Sequence, residues 1–335
     1  MPSGSSIKDG LRPIVHRLRH RRDSLLYGSC AVLLYHRVTE IPTDPQQLAV
    51  KPVHFDEHLA VLKKNYHLLS ITEFDELLLK RKKFPPNAVL LTFDDGYADN
   101  HLEARPILER HGLQALFYIA TDHIGSGREF WWDELERMFL VNDNLPMDLA
   151  FARDRVRINW SAPGAASSVE RGSTYENQLN VMRRLPSALR EEILGELRVV
   201  LNSAVARTTH LPMSVEQLRA FSGSPSVVLG AHTLGHPSLA HLSSNEQQHE
   251  IAGSKRALEV LVGMPVKYFS YPFGTGADFN ATTEALAREA GFLHVAANYP
   301  GMVHARRSPI SFPRYLVRDW DGPQFSKEIQ RFFRG

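Results

Sequence analysis

A chain of 335 residues with 43% hydrophobic and 23% charged residues has an ordinary globular composition, enough for one large α/β domain or a domain carrying an insertion. Its net charge of +2 supplies no bulk attraction for nucleic acid or membrane, and a single cysteine, Cys30, excludes an internal disulfide framework. No segment reaches transmembrane length, and no secretory apolar stretch with a cleavage site opens the chain, so a cytoplasmic protein without a nucleic-acid partner is expected.

Residues 1–29 are expected to form a basic extension, with the run His16 to Arg22 on the solvated face of a short helix over 7–24. Cys30 to His36 has the pattern of a buried strand ending in a histidine, with Cys30 as a small core residue. Apolar residues at 55, 59 and 62 predict a helix over Phe55–Asn65. A short strand, His67 to Ile71, precedes a helix opened by Thr72-Glu73-Phe74-Asp75. After the Pro85-Pro86 break, Ala88 to Leu91 is a buried strand that runs into Thr92-Phe93-Asp94-Asp95-Gly96-Tyr97. A helix over Asn100–His111 stops at Gly112, and a strand follows over Ala115 to Ile119.

Between 125 and 212 the rhythm changes, and a mostly helical inserted cap is expected. It contains Phe130-Trp131-Trp132-Asp133-Glu134-Leu135, a polar stretch over 161–173, and helical sequence from Glu176 to Asn202. Alternation then resumes with helix Ser214–Phe221, strand Val227 to Ala231, helix Ser243–Val262 and strand Val266 to Tyr271. Helix Ala281–Ala290, strands near Leu293–Ala296 and Phe312–Val317, and a C-terminal helix over 323–335 complete the chain. Strands alternating with helices over 30–124 and 213–322 imply a parallel sheet or barrel, whose ligands gather at the carboxyl ends of strands.

Three such ends carry chemistry. Asp94 and Asp95 are adjacent carboxylates that repel each other unless a cation or shared proton compensates, although Asp-Gly is also a common turn. Strand Val227–Ala231 ends in His232-Thr233-Leu234-Gly235-His236-Pro237, while His36 ends the first strand. One carboxylate with two imidazoles is a common facial set for a catalytic divalent ion. His54 and His58 share the spacing of His232 and His236, but lie on a helix flank where no ligand is expected.

The segments Thr92-Phe93-Asp94-Asp95-Gly96 and His232-Thr233-Leu234-Gly235-His236, followed by Tyr271-Pro272-Phe273-Gly274, resemble the motifs of the polysaccharide deacetylases (NodB homology, carbohydrate esterase family 4). The resemblance spans about 30 to 320, interrupted by the insertion. It implies an α/β fold, a distorted (β/α)7-type barrel, and metal-dependent removal of an N- or O-acyl group from a sugar. Carried over, it makes Asp94 the general base and Asp95, His232 and His236 the metal ligands. The expected cofactor is one divalent ion, zinc first, with nickel or cobalt as alternatives. The backbone N–H of Phe273 would help hold the oxyanion. Where the family's third motif begins with an arginine, this chain has Ser270, and Arg314 is the candidate substitute. Leu33-Leu34-Tyr35-His36-Arg37 resembles the amino-terminal strand of the poly-N-acetylglucosamine deacetylase branch, which makes His36 the general acid.

Trp131 and Trp132 are candidates to stack on a sugar ring or to anchor the cap, with one of each expected. Asp133 and Tyr271 are further substrate-binding candidates, Asp133 with helix capping as its alternative. The expected activity is a metal-dependent carbohydrate deacetylase acting on carbon–nitrogen bonds other than peptide bonds. The alternatives are a hydrolase of non-sugar C–N bonds and a non-catalytic carbohydrate-binding relative, the latter motivated by Ser270.

Overall fold

The apolar runs of the sequence become strands buried on both faces, the pattern of a parallel sheet covered by crossover helices. The computed structural model describes residues 26–143, 145–146, 148–161 and 168–334, so the expected helix over 7–24 lies outside the described residues. Strand β1 (Cys30–Tyr35) leads through the short pair β2 (Arg37–Val38) and β3 (Ala49–Val50) to helix Pro52–Asn65. Strand β4 (His67–Leu68) precedes helix Ile71–Leu79, whose N-cap Ser70 accepts from the Glu73 N–H. Then come β5 (Ala88–Phe93), helix Arg105–His111 and β6 (Ala115–Ile119). Gly112 ends that helix at φ +66°, as the sequence predicts, but its expected first turn over Asn100–Ala104 is a π-turn.

The insertion holds an antiparallel hairpin, β7 (Asp148–Arg153) with β8 (Val156–Ser161), which the expectation of a mostly helical cap missed. Short alternating stretches beside polar sequence give a weak strand signal, and Asp154 at φ +48° supplies the turn. The helical sequence expected over 176–202 forms two helices, Ser168–Met182 and Ser187–Val200. Pro186, which lacks an N–H, caps the second instead of continuing the first. The barrel resumes with helix Val215–Ser222, β9 (Val227–Ala231), helix Ser244–Val262, β10 (Tyr268–Ser270) and helix Ala281–Glu289. It finishes with β11 (His294–Ala296), β12 (Tyr315–Leu316) and helix Gly322–Arg334.

The strands are parallel in the order β11-β10-β9-β6-β5-β1-β12, with β4 against the start of β5. The Ala297 N–H donates to Phe312 O (2.9 Å) and the Phe312 N–H to Val295 O (3.2 Å). These bonds bring the segment leading into β12 back against β11 and close the circuit as the expected distorted barrel. Side chains of period two divide the sheet. Leu33, Tyr35, Leu91, Phe93 and Phe117 pack under the helices, with Phe93 stacked on Tyr35 (5.2 Å) and on Phe117 (4.6 Å). Val32, Leu90, Leu116, Tyr118 and Phe312 fill the interior with Cys30, which is buried as expected. The cap encloses its own apolar cluster, with Trp131, Trp132, Met138, Ile158, Tyr175 and Leu194 among its members. His58, on helix Pro52–Asn65, stacks on Phe325 at 4.0 Å and lies 2.6 Å from Trp320 O through Nε2, a structural use of the imidazole.

Candidate active site

On β5 the inward series 88, 90, 92 reaches Thr92 and then Asp94, one residue past the strand. Ideal alternation would turn Asp95 outward. Instead Asp95 takes φ +78° and Gly96 φ +96°, so both carboxylates enter one cleft. Four of the side-chain-bearing residues with positive φ, Asp95, Thr233, His236 and Phe273, belong to this site or its loops. Thr233 is β-branched, for which this backbone region is a true outlier, and such strain persists only where the surroundings enforce it.

Asp94 is gripped by Arg314 through two bonds of 2.7 Å, Nη1 to Oδ1 and Nη2 to Oδ2. The same guanidinium donates to Ser270 Oγ (2.7 Å), Thr92 Oγ1 (3.2 Å) and Ala297 O (2.8 Å). Ser270 thus leaves room for an arginine arriving from the opposite side of the barrel and hydrogen-bonds it. Burial raises the Asp94 carboxyl, but the Arg314 guanidinium and the nearby His232 pull it below its ordinary value. Thr92 was not singled out in the sequence, although its position two residues before Asp94 placed it on the same face.

Asp95, His232 and His236 offer ligand atoms that all lie within 4.8 Å of one another. Asp95 Oδ1 is 3.7 Å from His232 Nε2 and 3.5 Å from His236 Nε2, too far for good hydrogen bonds. These separations are below twice the roughly 2.0–2.2 Å of a zinc–ligand bond. Asp95 Oδ1 is buried without a hydrogen-bond partner, and burial, then the Asp94 charge, push its carboxyl well above the ordinary value. His232 Nδ1 lies 2.8 Å from Ser270 O, so it carries the hydrogen and leaves the Nε2 lone pair facing the carboxylates. Burial holds both imidazoles below their usual pKa, keeping them neutral as ligation requires. The donor set and its unpartnered oxygen fit a divalent cation.

His36 follows β1, and the register Tyr35↔Phe93 together with the Asp94 N–H bond to Tyr35 O (3.0 Å) sets it beside Asp94. Its Nδ1 is buried without a hydrogen-bond partner, and burial pushes the imidazole down to about 3, opposed by the Asp94 charge. Phe273, at φ +59°, packs its ring edge-on against His236 at 4.8 Å, which brings its backbone to the cleft.

Other candidates fall elsewhere. Tyr271 is fully buried, stacks on Phe279 at 4.5 Å and donates its hydroxyl to Ile310 O (3.0 Å), so it is a core residue and not a substrate contact. Next to the inward-facing Ser270, period two sends it toward the helices. Trp131 is likewise fully buried beneath the Arg190 guanidinium (4.7 Å) and anchors the cap. Trp132 is not a rim platform either. Its Nε1 donates to Tyr97 Oη (2.7 Å) and its ring lies 4.6 Å from that of His236, forming a wall behind that imidazole.

Asp133 is buried, accepts from the Tyr97 hydroxyl (2.7 Å), and is raised to about 8 by burial against the pull of Arg37. It belongs to a second compact group with Glu136 and His210. There Arg207 donates to Glu136 (3.1 Å), while Arg137 and Arg207 both hold Glu129 (3.1 and 3.0 Å). The cap's apolar packing, invisible to local pattern, draws all three candidates inside.

The polysaccharide deacetylase family model matches residues 81–141 and 196–295, leaving the cap's hairpin, helix Ser168–Met182 and most of helix Ser187–Val200 between its two parts. YxkH of Bacillus subtilis (strain 168), named as a polysaccharide deacetylase, is 31% identical over 108 residues, 32% of this chain and 37% of that protein. The poly-beta-1,6-N-acetyl-D-glucosamine N-deacetylase of Escherichia coli (strain K12) is 32% identical over 95 residues, 26% of this chain and 14% of that protein. The matches therefore span well under half the length of these curated relatives. In fold, the chain is similar to the Streptococcus pyogenes deacetylase PplD solved in complex with acetate, with a TM-score of 0.58, 17% identity, and 91% of this chain and 99% of that chain covered.

Proposed function

We propose, from the premise that this chain belongs to the polysaccharide deacetylase family, that it is a metal-dependent hydrolase removing an N-acetyl group from an amino sugar in a poly- or oligosaccharide. The observation that carries the reading is one carboxylate, Asp94, clamped by Arg314 beside a second, Asp95, that shares a cation-sized space with His232 and His236. Held by those three residues, a divalent ion would acidify a water and polarise the acyl carbonyl. Zinc suits the imidazole–carboxylate donors, with nickel or cobalt as alternatives.

Asp94, kept ionised and fixed in orientation by Arg314, takes the proton of the attacking water. The Phe273 N–H supports the carbonyl oxygen as it gains charge. The carbon–nitrogen bond then breaks, and His36 delivers a proton to the departing amine, leaving acetate and the free amino sugar. With a pKa near 3, His36 rests neutral. We therefore assign it to relay the proton gained by Asp94 instead of waiting as an imidazolium. Arg314 also speaks against a non-catalytic reading, since its guanidinium reaches Asp94 and Ser270 from another strand segment.

The test is acetate release from N-acetylated oligosaccharides by the purified protein loaded with Zn²⁺, Ni²⁺ or Co²⁺. Asp94→Asn should retain metal and lose about 10²–10⁴-fold in kcat, the usual worth of a general base. Failure of the parent protein to bind any of these ions, or to release acetate from any such substrate, removes the proposal.

A further inference from the structure

Three of the four peptide groups between the two candidate imidazole ligands, those joining 233–234, 234–235 and 235–236, are tied down at both ends. The Leu234 and Gly235 N–H groups both donate to Glu250 Oε2, at 2.9 and 3.0 Å. Thr233 O accepts from the Thr121 N–H (3.2 Å) and Leu234 O from the Asp122 N–H (3.0 Å). Gly235 O accepts from Arg190 Nη2, and the His236 N–H donates to Thr233 Oγ1 (2.9 Å). Glu250 sits on helix Ser244–Val262 of the barrel, whereas Arg190 and Ser187 sit on helix Ser187–Val200 of the cap. Ser187 joins the two sides: its hydroxyl donates to Glu250 Oε1 (2.6 Å) and receives Arg190 Nη2 (3.3 Å). A Cβ on Gly235 would collide with the Ser187 side chain, and one on Gly253 would collide with Leu234.

This bracing meets a need. Thr233 at φ +65° and His236 at φ +60° are strained, and a free loop would relax. Relaxation would swing His236 Nε2 away from Asp95. A single carboxylate accepting two adjacent N–H groups, charge-assisted and buried, opposes that motion. Arg190 is also almost fully buried, with Nε and Nη1 lacking hydrogen-bond partners, an unusual cost for a group serving only packing. Its neighbours in charge are Glu250, Glu191 and Asp122, and its guanidinium lies 4.7 Å over Trp131.

We propose that Glu250 is a positioning residue that holds the His232–His236 loop in its ligating shape, and that the cap, through Ser187 and Arg190, is part of the apparatus that sets metal affinity. The inference rests on the metal-dependent reading above, but it is read out by zinc binding instead of acetate release. The apo protein is titrated with Zn²⁺ against a chromophoric chelator, alongside its thermal melt, for the parent, Glu250→Gln and Ser187→Ala. In Glu250→Gln the amide cannot accept two N–H groups and receive Ser187 as before. Its zinc Kd should rise about 10–100-fold, the range for losing an outer partner of a ligand, with kcat reduced and KM unchanged. Ser187→Ala should weaken zinc about 3–10-fold, less than the loss of Glu250 itself and below that same range.

A zinc Kd within twofold of the parent in a cooperatively melting Glu250→Gln overturns the clamp, as does a rise in KM alone. Should Glu250→Gln fail to fold, Ser187→Ala decides, and an unchanged Kd there overturns the role of the cap. If the parent binds zinc yet releases no acetate, the deacetylase reading falls while the Kd series still judges the clamp.

Discussion

Among the described residues lie two buried groups of carboxylate and imidazole, Asp95–His232–His236 at the barrel mouth and Asp133–Glu136–His210 in the cap. By composition and compactness they are near equals. They differ in who supplies the positive charge. In the cap, Arg207 reaches Glu136 and, with Arg137, holds Glu129, while Arg37 lies 4.2 Å over the ring of Tyr97, the residue bonded to Asp133. At the barrel mouth the arginine goes to Asp94, and Asp95 Oδ1 is left without a hydrogen-bond partner. A cluster that brings its own guanidinium groups is satisfied within the fold, whereas one that withholds them fits an external cation.

The largest effect should come from Asp95→Asn. Loss of a direct ligand should exceed the 10–100-fold cost of losing an outer partner, reaching about 1000-fold in metal affinity, or about 4 kcal/mol. The apo protein should melt no earlier than the parent, because Asp95 Oδ1 has no hydrogen bond to lose, and calorimetric metal titration beside the melt tests both halves. Glu136→Gln should do the reverse, leaving the metal Kd within twofold and destabilising the fold by about 2–3 kcal/mol. That is less than a fully broken buried pair, because Arg207 keeps Glu129. If Glu136→Gln weakens metal as Asp95→Asn does, the distinction between the two groups is wrong.

A third effect depends on pH. Burial, with Arg37 and Arg207 nearby, holds His210 down to about 3, against about 6.5 when unfolded. Between these values the unfolded chain binds a proton that the folded chain refuses. The stability His210 contributes is therefore whole above pH 6.5 and drains away as the pH falls, by about 2 kcal/mol at pH 5. Urea unfolding at pH 7 and pH 5 should show that loss in the parent, and His210→Gln should reduce it by about that amount. An equal loss in both would detach His210 from the arginine-rich group. The smallest effect is Tyr271→Phe, which deletes one buried hydrogen bond and should cost about 1 kcal/mol in stability with KM unchanged. A selective rise in KM would return Tyr271 to the substrate.

Much of the site was legible locally. Period two put Thr92 and Asp94 on one face of β5, the Gly96 loop let Asp95 join them, and strand ends placed His36, His232 and Phe273 at one mouth of a parallel barrel. Arg314 could be nominated because Ser270 vacates a role that another residue must fill. Local pattern could not tell that Trp131 and Trp132 turn into the cap core and Asp133 onto Tyr97, or that Tyr271 faces the helices while its neighbour Ser270 faces Arg314. Nor could it find Glu250, since a glutamate inside a capped, amphipathic helix looks solvated until its carboxylate is seen on Leu234 and Gly235.

The sequence by itself determined the strand ends, their residue types and their order, because side-chain period and turn chemistry are properties of a few consecutive residues. Tertiary structure alone decided which groups share a cavity, which cation answers which carboxylate, and which strained loop is braced. Those depend on contacts between residues as distant as Asp94 and Arg314.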